Sequence, residues 1–190
     1  MGYRLRGAVI EVITTAILAV VIYLVVQTFV VQTYQVKMES MVPNLLPDQH
    51  VLVDKLTPRF DDYSRGDVVV FHPPADEDVD GTPFIKRIIG VGGDHIEIRG
   101  GAVIVNGVQL PEPYIARDGL TEPTGGQNEW DVPEAELFLL GDHRSQSEDS
   151  RSFGTVRVSS VIGRAWLRFW PISTFTILPT PTYPAAPPRQ

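Results

Sequence analysis

Cysteine is absent from this 190-residue chain. That removes disulfides, thiol nucleophiles and cysteine-held metals. Histidine is scarce. His50, His72, His95 and His143 lie far apart, with no His-Glu-x-x-His and no other dense ligand spacing, so no metal site is expected. Nucleotide fingerprints are missing as well. Gly90, Gly92 and Gly93 cluster, but no Gly-x-Gly-x-x-Gly opens a helical segment and no Lys-Ser or Lys-Thr closes a glycine-rich loop; the glycines suit a tight bend instead. No cofactor is expected. Positive charge is the minority, with 16 Lys and Arg against 23 Asp and Glu and a net charge of −7, which speaks against a nucleic-acid partner. Gly-x-Ser-x-Gly is absent, and no histidine sits in a recognisable triad context.

Charge of either sign is missing from Val12 to Val36, 25 residues in a row. A helix rises about 1.5 Å per residue and needs roughly 20 residues to cross the hydrocarbon of a bilayer, so this stretch is long enough to span it. Arg4 and Arg6 precede it, which favours an N-terminus inside and a following domain outside. A cleaved leader would have a shorter apolar run and a small-x-small site; Gln32-Thr33-Tyr34-Gln35-Val36 supplies none, so a retained anchor is expected. The division that follows is a short cytoplasmic N-terminus (1–8), a transmembrane anchor (9–34), a β domain (35–178) and a Pro-rich disordered tail (179–190).

Beyond residue 36 no amphipathic helix of ten or more residues is apparent. Short runs of β-formers alternate with turn residues instead. Strands are expected at His50–Asp54, Val68–Phe71, Phe84–Val91, His95–Arg99, Ala102–Val105, Val108–Leu110, Glu136–Leu140, Val156–Gly163 and Arg164–Phe169. Val68-Val69-Val70-Phe71 reads as buried on both faces. Asn106-Gly107 is a strong hairpin signal. Lys55–Tyr63 reads as a surface excursion, residues 73–83 and 111–130 as loops, and residues 143–155 as polar loop. The fold class is mainly β, with one N-terminal transmembrane helix ahead of an extracytoplasmic domain closed enough to avoid raw edges.

Acyl transfer needs a nucleophile, a base and donors for the oxyanion. Without a suitable histidine, a lysine can act as base if burial lowers its pKa from about 10.4 toward neutrality. There are three lysines, Lys37, Lys55 and Lys86. Only Lys86 is enclosed by apolar residues, Phe84-Ile85 before and Ile88-Ile89 after. The pattern alone also fits an edge-strand lysine that blocks aggregation.

Three blocks carry a resemblance. They are Ser40-Met41-Val42-Pro43 after the anchor; Gly66-Asp67-Val68-Val69-Val70-Phe71 followed by Lys86-Arg87-Ile88-Ile89-Gly90-Val91-Gly92-Gly93-Asp94; and Gly141-Asp142-His143-Arg144 with Ser147, Asp149, Ser150, Arg151 and Gly154. In order and spacing they resemble the bacterial type I signal peptidases, or leader peptidases, over roughly residues 10–165. The resemblance implies a β domain of that type and a Ser–Lys dyad. Ser40 would be the nucleophile and neutral Lys86 the general base, with Ser147 orienting the lysine amine. Asp149 and Arg151 would prop the last block, with Asp142 in support, although a plain loop salt-bridge network would look the same. Met41 would pack beside the nucleophile, and the Ser40 backbone N–H would serve the oxyanion.

It further implies a monomer in the bacterial cytoplasmic membrane that cleaves exported preproteins after an Ala-x-Ala-like site, with the bilayer as its other partner. Two departures stand out. Met38 occupies a position where many members carry a hydroxyl donor to the oxyanion, and His143 replaces the usual asparagine of Gly-Asp-Asn-Arg. A catalytically silent membrane-tethered scaffold and an autoproteolytic Ser–Lys protein are the rival readings; the latter would need a DNA-binding head where residues 1–36 read as a span.

Overall fold

The charge-free stretch folds as one helix, and it stops sooner than its composition suggests. A computed structural model describes residues 2–56, 62–77, 81–115, 119–181 and 183, without the side chains of 2–5 and 9. Helix α1 covers Gly2–Phe29. Within it Arg6–Phe29 has a mean hydropathy of 2.7 and is long and apolar enough to cross a membrane. Residues 31–34, assigned above to the anchor, belong instead to strand β1, Val31–Gln35. The reason lies in pairing. β1 runs antiparallel to β2 (His50–Asp54), from Val31 opposite Asp54 to Gln35 opposite His50. An uncharged Val-Gln-Thr-Tyr-Gln run satisfies a sheet as readily as it extends an apolar helix, and here the ladder takes it.

The remaining strands are β3 (Val68–Phe71), β4 (Phe84–Val91), β5 (His95–Arg99), β6 (Ala102–Val105), β7 (Val108–Gln109), β8 (Glu129–Asp131), β9 (Glu136–Leu140), β10 (Val156–Arg157), β11 (Val161–Trp170) and β12 (Thr176–Ile177). One sheet runs β1-β2-β11-β3-β4-β9-β10, with β12 also on β11; the other runs β7-β6-β5-β8. β3 is buried on both sides, as its unbroken apolar run requires. Val68 and Val70 pack with Val36, Met41, Leu45, Val51, Val53 and Ala165. Val69 and Phe71 face the other way, onto Ile88, Leu137, Leu139 and Val156. A third core joins the sheets, with Ile89, Phe138 and Leu140 meeting Ile96, Ile98, Val103, Val105 and Trp130. The Asn106-Gly107 turn has positive φ at both residues, as its hairpin demands.

Several expected boundaries move. The last strands were read as Val156–Gly163 and Arg164–Phe169. The chain instead pauses in a 3-10 turn at Val158–Ser160 and then runs unbroken through Gly163 to Trp170. Gly163, expected as a strand's last residue, is a close-approach residue inside β11: a Cβ there would drive into the Asp54 carbonyl and lie 2.8 Å from Val53 Cγ1. The 143–155 loop holds a 3-10 turn at Arg144–Gln146 and a short helix α2, Ser150–Phe153. The 111–130 loop ends in β8. Residues 57–61, 78–80 and 116–118 of the expected excursion and loops, and residues 182 and 184–190 of the tail, lie outside the described residues.

Candidate active site

Ser40 sits in the tight turn that follows β1. Val42 N donates to Glu39 O at 3.0 Å, and Asn44 N and Leu45 N both donate to Met41 O at 2.9 Å. Met41 and Leu45 are buried in the core beneath, so the turn is fastened by its own apolar residues and Ser40 is held just above them. Lys86 lies inside β4, opposite Val69 of β3. Since β4 runs between β3 and β9, the edge-strand reading of this lysine does not apply. Its side chain is 1% exposed, and Nζ is hydrogen-bonded to Ser40 Oγ at 2.7 Å. Burial pushes the Lys86 pKa down to about 8, against the opposing pull of the Asp149 and Glu148 carboxylates and with some help from the Arg151 charge. The Phe84 ring lies under the amine, 5.4 Å from its centroid.

A buried polar frame backs this pair. Asp142 receives Arg87 Nε at 2.8 Å and Nη2 at 2.7 Å, and Asn44 Nδ2 at 2.8 Å. The Ser40 turn, the Lys86 strand and the Gly141–Arg144 block therefore meet at one carboxylate. Asp149 caps α2, pairs with Arg151 Nε at 2.8 Å and Nη2 at 2.9 Å, and accepts from Gly141 N at 3.1 Å. Arg151 Nη2 also donates to Arg144 O at 2.6 Å. Gly141 has no room for a side chain, since a Cβ would meet Ser147 Oγ and come within 2.5 Å of Ser40 O.

Of the residues singled out in the sequence, Ser147 sits differently from its expected role. Ser147 Oγ is buried but has no hydrogen-bond partner among the described residues; it packs on Gly141, and the bond to the lysine amine is not formed. His143 donates its backbone N–H to Ser40 O at 3.0 Å, while its Nδ1 donates to Glu39 O at 3.3 Å. Its ring is thus bound to the turn, and Lys86 holds the place beside Ser40 Oγ. Met38 is 50% exposed and offers no donor. The Ser40 N–H donates to no backbone carbonyl among the described residues.

Ser40 and Lys86 open onto a cleft of about 560 Å³ between two extended walls, Thr33–Met38 on one side and Thr82–Lys86 on the other, with Glu77 and Glu148 at its margin. Sequence reasoning gave no role to Asn44, Arg87, Tyr114, Glu112 or Thr121. Arg87 carried a usable signal, a second cation inside an apolar strand. Glu112 and Thr121, which hold Arg144, lay in a polar loop that marked neither.

The family model described as signal peptidase, peptidase S26, matches residues 9–170. The chain is 36% identical over 182 residues to the signal peptidase I of Leptolyngbya laminosa, covering 91% of this chain and 86% of that protein. It is 32% identical over 185 residues to the signal peptidase IB of Staphylococcus aureus strain COL, covering 90% and 94%. A solved signal peptidase I from Enterococcus faecalis V583 aligns with 31% identity, 55% of this chain, 97% of that one and a TM-score of 0.45. The family model and the two relatives define the class, a serine endopeptidase. The chain belongs to the signal peptidase family, peptidase S26.

Proposed function

We propose that this protein is a membrane-bound signal peptidase in which Ser40 attacks and neutral Lys86 carries the proton. The observation that carries the reading is the 2.7 Å contact between the buried Lys86 Nζ and Ser40 Oγ at the wall of the cleft. With the amine neutral, the Ser40 O–H donates to it. As Oγ attacks the scissile carbonyl carbon, its proton passes to Nζ. The Ser40 N–H supplies a donor to the oxyanion. The lysine ammonium then gives that proton to the leaving amine nitrogen, leaving an ester on Ser40. Water attacks the ester, Lys86 takes a proton from it and hands that proton to Ser40 Oγ as the ester bond breaks and the carboxylate product leaves. Ser147, whose hydroxyl is unpaired, is assigned to steady the amine. Asp142, Asp149 and Arg151 hold the block around it.

The substrate is an exported preprotein bound as an added strand between the two cleft walls, so that alternate side chains enter the protein. Small residues at the first and third positions before the bond fit such a site. Arg4 and Arg6 before the span favour an N-terminus inside and the β domain on the extracytoplasmic side.

The test is cleavage of a model preprotein in detergent or lipid, with product mass locating the cut. Wild type should cut once after a small-x-small site, and Ser40→Ala and Lys86→Ala should each lose on the order of 10³-fold or more in rate. If Lys86→Ala keeps most of its rate, the base has been misassigned. If wild type never cuts in lipid, a silent tethered scaffold replaces this reading.

A further inference from the structure

The chain after β12 is proline-rich and reads as a disordered tail, yet its first residues are fastened. Leu178 N donates to Trp166 O at 2.8 Å. Thr180 Oγ1 donates to Asp67 Oδ1 at 3.2 Å. Pro181 and Tyr183 lie on Gly66, where a Cβ would come 2.8 Å from Pro181 Cδ and 3.1 Å from Tyr183 Cε2. The Tyr183 hydroxyl lies 2.8 Å from that of Tyr114. Tyr114 gives its proton to Glu112 Oε1 at 3.0 Å, so Tyr183 donates to Tyr114.

Gly66 and Tyr114 share a second partner. Arg87 Nη1 donates to Gly66 O at 2.7 Å, and the Arg87 guanidinium carbon lies 4.2 Å from the Tyr114 ring centroid. Both of these further contacts of Arg87, beside its pairing with Asp142, are thus made by groups that touch the tail. Arg87 is the residue next to Lys86, and its pairing with Asp142 fixes how β4 sits against the Gly141–Arg144 block.

We infer that the C-terminal strap is a positioning device for the reaction, in which Thr180, Pro181 and Tyr183 press Gly66 and Tyr114 onto Arg87 and so hold Lys86 in reach of Ser40. The inference rests on the Ser40–Lys86 reading. The charged groups that face Lys86 are Asp149, Glu148, Arg151 and Asp142. The strap's described contacts reach only Asp142, and that through Arg87. Releasing it loosens the back of the site and lets water nearer the amine, which favours its charged form.

The experiment uses the full chain in detergent micelles with a peptide spanning a small-x-small site. It compares wild type with Tyr183→Phe, Tyr183→Ala and a chain ended at Leu178, alongside Ser40→Ala and Lys86→Ala. Tyr183→Ala and the shortened chain should lose about tenfold in kcat with KM within about twofold, and the acid limb of their kcat/KM profile should move to higher pH. Tyr183→Phe keeps the ring on Gly66 and should recover most of kcat. If the shortened chain fails to fold, Tyr183→Ala decides alone. A lowered Tm with kcat and the acid limb both unchanged means that the strap is structural only, and the inference is wrong. Inactive Ser40→Ala and Lys86→Ala beside a wild-type-like Tyr183→Ala overturn the strap and leave the dyad. An active Lys86→Ala overturns both.

Discussion

At the scale of the residue, Lys86 destabilises the fold in a way that its role would explain. Its folded pKa of about 8 lies below the value of about 10.4 for an unfolded lysine. Between those two values the unfolded chain binds more protons than the folded one, so this residue makes stability rise with pH across that window. Below pH 8 the penalty is fully present; above about pH 10.5 it is gone. Lys86→Met keeps the length of the side chain and removes the charge. It should abolish cleavage yet stabilise the fold, by up to about 3 kcal/mol at pH 6–7, since each tenfold loss of proton affinity on folding corresponds to about 1.4 kcal/mol. The gain should shrink as pH rises past 8. Denaturant unfolding at pH 6.5 and pH 9.5 checks this. A variant that is less stable than wild type at both would mean that the amine's bond to Ser40 outweighs its desolvation.

At the scale of the element, the site depends on one carboxylate that ties together three parts of the chain distant in sequence. Asp142 just after β9, Arg87 in β4 and Asn44 in the Ser40 turn meet almost without solvent; Arg87 and Asp142 are 3% and 0% exposed. Removing one member of a buried pair leaves the other charge uncompensated, at about 3–5 kcal/mol, whereas replacing both with apolar groups is often neutral. Asp142→Asn should therefore lower unfolding stability by about that amount, and Arg87→Met with Asp142→Leu should recover most of it. Urea titration of the single and double variants measures the coupling. A single variant within about 1 kcal/mol of wild type would show that water already reaches the pair.

This element scale is also where the sequence was least legible. The strands declared themselves through β-branched runs, and the hairpin through Asn-Gly, because those signals are local. Ser40 and Lys86 were visible because a family pattern pointed to both, and Lys86 also because a cation in an apolar strand is unusual. The end of α1 was not visible, since lipid and sheet reward the same uncharged residues. Asn44, Tyr114 and Glu112 were not visible either. Their roles come from partners 98, 69 and 32 positions away, and nothing in their own neighbourhoods marks such contacts. The strap was hidden behind its composition: prolines that suggest disorder also lie flat on a glycine.

At the scale of the whole molecule, the anchor and the β domain are joined without a linker, yet they share no core. The side chains from Ile10 to Phe29 are almost all exposed, with none of the span buried in the domain, as a helix that crosses a bilayer requires. The joint itself is firm. Val30 N still donates to Val26 O, and Lys55 N donates to Val30 O at 2.9 Å. Lys55 Nζ donates to Thr28 O at 2.8 Å and Gln32 Oε1 at 3.3 Å, placing a cation at the negative end of the helix dipole. β1 then leads straight into the Ser40 turn. On the proposed reading stability and reach are thereby separated: the β domain owes little of its folding to α1, while α1 would set where Ser40 works. A chain of residues 30–190 should unfold within about 3 °C of the full protein, because the area buried in the domain hardly changes. It should cut a short soluble peptide at a rate within about threefold of wild type. Against a preprotein inserted in vesicles it should fall by about 10²-fold, since the tether no longer supplies a high effective concentration at the membrane surface. Equal losses on both substrates, or an unfolded domain, would mean that the helix supports the site directly and is more than its tether.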